Sequence, residues 1–125
     1  MSSDERRKYP RVFESVPCRV ILGPSAFVTE TKNLSCGGAL CYLNSPLPIM
    51  TKLDVALLLP SGTESSATRS IRCVGVVVRR EPPVGSTGSP SYPTAIYFSQ
   101  LAQDDRRRIA EFVLQSMLSH DRRRS

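Results

Sequence analysis

The chain has 125 residues with 40% hydrophobic content, enough for one domain with a single modest core. No apolar run reaches the length of a membrane span, and the charged start MSSDERRKYPR does not lead into an apolar stretch, so neither a span nor a signal peptide is expected and the chain is assigned to the cytosol. The net charge is +6, and 14 of the 17 basic residues are arginine, which calls for an anionic partner that rewards a planar guanidinium fork.

Residues 15–22 (SVPCRVIL) and 26–34 (AFVTETKNL) are β-branched and partly alternating, with Gly23, Pro24 and Ser25 as turn punctuation, and they predict a hairpin. A third short strand is expected over 39–43 (ALCYL). A fourth is expected over 52–59 (KLDVALLL), with Leu53, Val55, Leu57 and Leu59 on one face. The valine-rich stretch 69–80 (RSIRCVGVVVRR) reads as a long fifth strand in which Gly75 marks a bulge or bend. Residues 81–93 carry four prolines and two glycines and read as a loop, after which 94–98 (TAIYF) form the last strand.

The period then changes. Ile109, Phe112, Val113 and Met117 recur at helical spacing, predicting a helix over 103–119 whose first turn holds Asp104 and Asp105, near the positive end of its dipole. Residues 1–14 are expected to be a flexible arm, and 120–125, with Arg122, Arg123 and Arg124, a disordered basic tail. Several short antiparallel strands followed by one helix favour a small β-barrel or curled sheet, because closure removes unprotected edges.

Chemistry is conspicuous by its residue types. Cys18, Cys36, Cys41 and Cys73 form no CxxC pair and His120 is the only histidine, so no metal site is expected; Cys18, Cys41 and Cys73 fall in strand-like runs and read as small buried hydrophobes in a reducing compartment. No phosphate-binding glycine loop, no GxSxG elbow and no carboxylate or histidine constellation is present, so no catalytic residue, no cofactor and no enzyme activity are expected.

Two short patterns stand out. Arg7 and Arg11 form R-x-x-x-R in RKYPR, and Asn33, Ser35 and Gly38 form N-x-S-x-x-G in NLSCGG. With so many arginines, one R-x-x-x-R is expected by chance about once, so the second pattern is the more informative. The hairpin links them: the chain leaves Arg11, turns at Gly23 and Pro24 and returns to Asn33 after nearly equal arms, so Arg7, Arg11 and the 33–38 turn should meet.

R-x-x-x-R followed about twenty residues later by [DN]-x-S-x-x-G, in a β-rich chain of this size, resembles the PilZ domain family. The resemblance runs from Arg6 to about Leu118 and takes in the valine-rich fifth strand, the closing A-I-Y-F and the arginine-rich start of the helix; Ala95 stands where the family often has glycine. It implies a mainly β fold, a six-stranded antiparallel barrel over 15–119 with an N-terminal arm and a C-terminal helix. It further implies a receptor or adaptor that binds cyclic di-GMP between arm and barrel, changes conformation, and signals through an unidentified effector protein.

On that resemblance Arg7 and Arg11 grasp phosphate and guanine, whose O6 and N7 suit an arginine fork. Asn33 meets a guanine edge, Ser35 bonds phosphate or base, and Gly38 allows close backbone approach. An arginine directly before R-x-x-x-R, here Arg6, resembles members that bind two stacked cyclic di-GMP molecules per chain. The alternative, a small barrel binding single-stranded nucleic acid, suits the basic charge, but the chain has no tryptophan and only eight aromatic residues for stacking, so nucleic acid is not the expected partner.

Overall fold

Period-two alternation decides which side of the sheet is inside. Over β4 (Lys52–Pro60), Leu53, Val55, Leu57 and Leu59 are buried, while Lys52, Asp54, Leu58 and Pro60 face out. The computed structural model describes residues 10–60, 68–85 and 88–124. Its other strands are β1 (Pro17–Leu22), β2 (Ser25–Ser35), β3 (Gly38–Leu43), β5 (Thr68–Arg80) and β6 (Tyr92–Gln100), followed by the helix α1 (Gln103–Arg124). Every strand end lies within two residues of its sequence expectation. All pairs are antiparallel, and the sheet closes on itself in the order β1-β2-β3-β6-β5-β4, which leaves no open edge. This is the expected six-stranded barrel with a C-terminal helix.

The barrel is filled by Val20, Leu34, Leu43, Leu57, Ile71, Val77 and Phe98, each fully buried, and Ile109 and Val113 of α1 join the same core. The apolar stripe expected on the helix is therefore only half used: Phe112 packs at the margin, and Met117 is 42% exposed. The helix also continues to Arg124, beyond the expected end at 119 and through most of the expected tail. Nothing between Ser119 and Arg124 is a glycine or proline that would stop it.

Gly75 does mark a bulge. The β5–β6 register shifts between Val74 and Gly75, and a side chain there would press on Ile96 Cγ2 at 2.6 Å and Val55 Cγ2 at 3.1 Å. The expected loop after β5 is partly a hairpin: Glu81 N donates to Pro93 O at 3.0 Å, and Val84 and Ser91 exchange two bonds of 2.8 Å. Proline and glycine content hid that pairing, since one isolated bridge gives no alternation to read.

The four cysteines are free and buried. A hydrogen bond from Cys41 holds the Cys18 thiol below its ordinary range, against the effect of burial, while that bond and burial push Cys41 well above it. Burial, first among several causes, pushes Cys73 up to about 12. Among the described residues no helix is long and apolar enough to cross a membrane, and no group of side chains is arranged to hold a metal ion.

Candidate functional site

The arm reaches the barrel through β2. Val12 and Leu34 exchange backbone hydrogen bonds of 3.0 and 2.9 Å, and Thr31 completes the attachment: its hydroxyl accepts from Val16 N at 3.0 Å and donates to Glu14 O at 2.7 Å. Val12 of the expected arm is buried, as is Val16 just after it, so the arm is docked from Val12 onward, while Phe13 is turned to water. Arg11 is thereby set beside Asn33. Arg6 and Arg7 lie outside the described residues.

A second local feature turns the motif residues to the same side. Thr31 pairs with Cys41, whereas Asn33 pairs with Leu40, so one residue is inserted between them as a bulge. Without it, alternation would send Asn33 inward with Thr31; with it, Leu34 points into the core and Asn33 and Ser35 lie on the outer surface beneath the arm. Both are nearly covered, at 9% exposure.

The turn from β2 to β3 is held from several directions. Ser35 Oγ accepts from Gly37 N at 3.1 Å, Gly37 O accepts from Phe98 N at 2.9 Å, and Arg106 Nη1, from the first turns of α1, donates to Cys36 O at 2.8 Å. Gly38 also has a duty within the barrel. A Cβ at this position would collide with the carbonyl oxygen of Ile96, so the glycine permits close backbone approach to β6.

These elements enclose a cleft of about 310 Å³, within the range of small-molecule sites. Arg11, Asn33, Ser35 and Gly38 line it, and so do Arg79, Tyr97 and Arg106, which the sequence patterns did not single out. Arg79 sits opposite Ala95 in the β5–β6 ladder and pairs with Glu81 at 3.5 Å, an exposed contact worth little and easily exchanged. Tyr97 lies opposite Gly38, is 54% exposed, and is the only aromatic side chain among the described residues of the lining. Among the described residues of the lining there are three guanidiniums and no carboxylate, suited to phosphate or a purine edge, with an aromatic ring at their side.

Helical periodicity made Arg106 look like one more solvated arginine. Arg79 and Tyr97 enter the cleft only through a register that joins β6 to both β3 and β5. The one available signal was the arginine-rich start of the last helix.

The family model described as "PilZ domain" matches residues 5–115. No curated protein matches the sequence. Among solved structures, the Bacillus subtilis inhibitor of motility MotI/DgrA superposes with a TM-score of 0.76 at 21% identity, covering 91% of this chain and 52% of that one. The PilZ domain of YcgR from Escherichia coli, solved with c-di-GMP, gives a TM-score of 0.67 at 13% identity, covering 94% of this chain and 96% of that one. The K. pneumonia MrkH–c-di-GMP complex gives 0.71 at 19% identity, with coverages of 94% and 55%. This chain therefore spans about half of MotI/DgrA and MrkH and nearly all of the YcgR domain, and at these identities the likeness establishes the fold.

Proposed function

This chain belongs to the PilZ domain family, and on that footing we propose that it is a receptor for cyclic di-GMP, held noncovalently in the cleft of Arg11, Asn33 and Ser35. The observation that carries this reading is the Val12–Leu34 pair, which sets an arginine of the first pattern beside the asparagine and serine of the second. Support also comes from the family match and from the solved c-di-GMP complexes of YcgR and MrkH.

Each ligand molecule carries two phosphates and two guanines. Arg11 and Arg79 meet phosphate or the O6 and N7 of guanine, Asn33 reads a guanine edge, Ser35 bonds phosphate, and the ring of Tyr97 offers a stacking face. Arg7 joins Arg11 from the arm. With Arg6 as a further guanidinium, the site takes two stacked ligands per chain, because the added pair of phosphates needs compensating charge. The arm, residues 1–11, orders over the ligand and alters the shape and charge of one end of the barrel, a switch driven by differential affinity. In the cytosol the signal then passes to a partner protein, with no chemical step on the ligand.

The test is calorimetric titration with cyclic di-GMP beside GTP, cyclic GMP and a single-stranded oligonucleotide at two salt concentrations. Selective binding of the dinucleotide at two per chain, falling toward one in Arg6→Leu, is expected. Oligonucleotide binding alone, with a steep salt dependence, would replace this reading with the nucleic-acid one. A wild-type ratio of one at saturation would remove the two-ligand arrangement and leave the receptor intact.

A further inference from the structure

In the closed strand order the β1–β4 pair lies across the barrel from β3–β6, so the outer surface of β1 and β4, with the first half of β5 beside it, faces away from the cleft. Its register puts Val28, Arg19, Ala56 and Arg72 in one row across four strands. A groove of about 680 Å³ runs over this face, with Ile21, Val74 and Leu58 beside the row. Val28 is 81% exposed and Leu58 48%. Aliphatic side chains are thus turned to water beside the two arginines of the row.

Its two arginines differ from the others. Arg79, Arg107 and Arg108 pair with Glu81, Asp104 and Asp105, Arg80 donates to Leu47 O, Arg106 donates to Cys36 O, and Arg11 is also engaged. Among the described side chains, only the guanidiniums of Arg19 and Arg72 have neither an ion pair nor a hydrogen bond. Exposed arginine on an aliphatic floor is the composition of an interface core rather than of ordinary surface.

We propose that this face docks an acidic amphipathic helix of a partner protein, whose carboxylates pair with Arg19 and Arg72 across Ala56. The spacing selects a helix. Arg19 and Arg72 flank β4 and are therefore two strand spacings apart, about 9.5 Å. Glutamates at i and i+7 of a helix rise about 10.5 Å along one face, leaving i+3 and i+4 to rest on Ala56. In an extended segment same-side residues recur about every 6.7 Å, a poorer match to that separation.

Charge selects a protein. Asp54 lies one row away, between Ile21 and Val74, and repels the continuous phosphate charge of a nucleic-acid strand, whereas a helix can set a basic side chain against it. A second copy of the chain is opposed by its net charge of +6. The surface and its partner do not depend on what the cleft binds.

The test is an amide chemical-shift titration of the full chain with a synthetic helical peptide bearing glutamates at i and i+7 and leucines at i+3 and i+4. Shifts centred on Arg19, Ala56, Leu58 and Arg72 are expected, with affinity about tenfold or more weaker for Arg19→Gln/Arg72→Gln, whose melting temperature should be unchanged because both positions are exposed. The same peptide with glutamine for glutamate should lose a similar factor. Absence of binding, equal affinity for the double variant or the glutamine peptide, or shifts centred elsewhere would overturn the proposal. So would saturation of the same residues by a single-stranded oligonucleotide or by self-association.

Discussion

Two short turns join β1 to β2 and β2 to β3, and they have little else in common. The first, at Gly23 and Pro24, needs its glycine for backbone conformation: φ is 57°, and a Cβ there would meet nothing within 4 Å. The second, at Cys36 and Gly37, leads to a glycine needed for space, since Gly38 lies against the Ile96 carbonyl. One turn only reverses the chain. The other is fastened to β6 and to α1 and forms a wall of the cleft. A glycine in a sequence does not say which of these duties it has; the neighbours brought up by the rest of the fold decide.

Substitutions can pull the two apart. Gly38→Ala should be the most damaging, because the obstacle is backbone and cannot swing away; a loss of about 2 to 3 kcal/mol, the upper part of the overpacking range, is expected in urea unfolding. Stability within a few tenths of the wild type would mean that β3 and β6 separate easily. Arg106→Ala comes next. It removes the bond to Cys36 O and should lower stability by about 1.5 kcal/mol, while also weakening ligand binding by loosening the cleft wall. An unchanged affinity in that variant would show that the wall is held by Ser35 and Phe98 alone.

Gly23→Ala should have a smaller effect, about 1 kcal/mol from the left-handed backbone, with ligand affinity untouched. Gly23→Asn should recover most of that, because asparagine tolerates the conformation. If Gly23→Ala weakened binding as much as Arg106→Ala, the distinction between a connecting turn and a working turn would fail.

The strands were readable because their physics is local. Leu53, Val55, Leu57 and Leu59 alternate in the sequence as they do in the barrel, and Gly75 interrupts a valine run where the ladder slips. The meeting of Arg11 with Asn33 was readable because a hairpin with equal arms returns the chain to its start. The Thr31–Asn33 bulge that turns Asn33 outward carries no glycine or proline, so nothing in its composition marks it. Arg79, Tyr97 and Arg106 were hidden for a related reason: each reaches the cleft through pairings or packing with residues far away in sequence. The end of α1 was also misplaced, because the apolar stripe stops at Met117 while the backbone helix needs no further burial to continue to Arg124.

The central claim is that the arm and the β2–β3 turn together form the site for cyclic di-GMP, and calorimetric titration of the wild type, Arg11→Ala and Ser35→Ala tests it most directly. Each variant removes one charged or phosphate-directed hydrogen bond, so a loss of about 1.5 to 3 kcal/mol, tenfold or more in affinity, is expected; Ser35→Ala also gives up the bond from Gly37 N and should lower the melting temperature. Wild-type affinity retained in both variants would contradict the account.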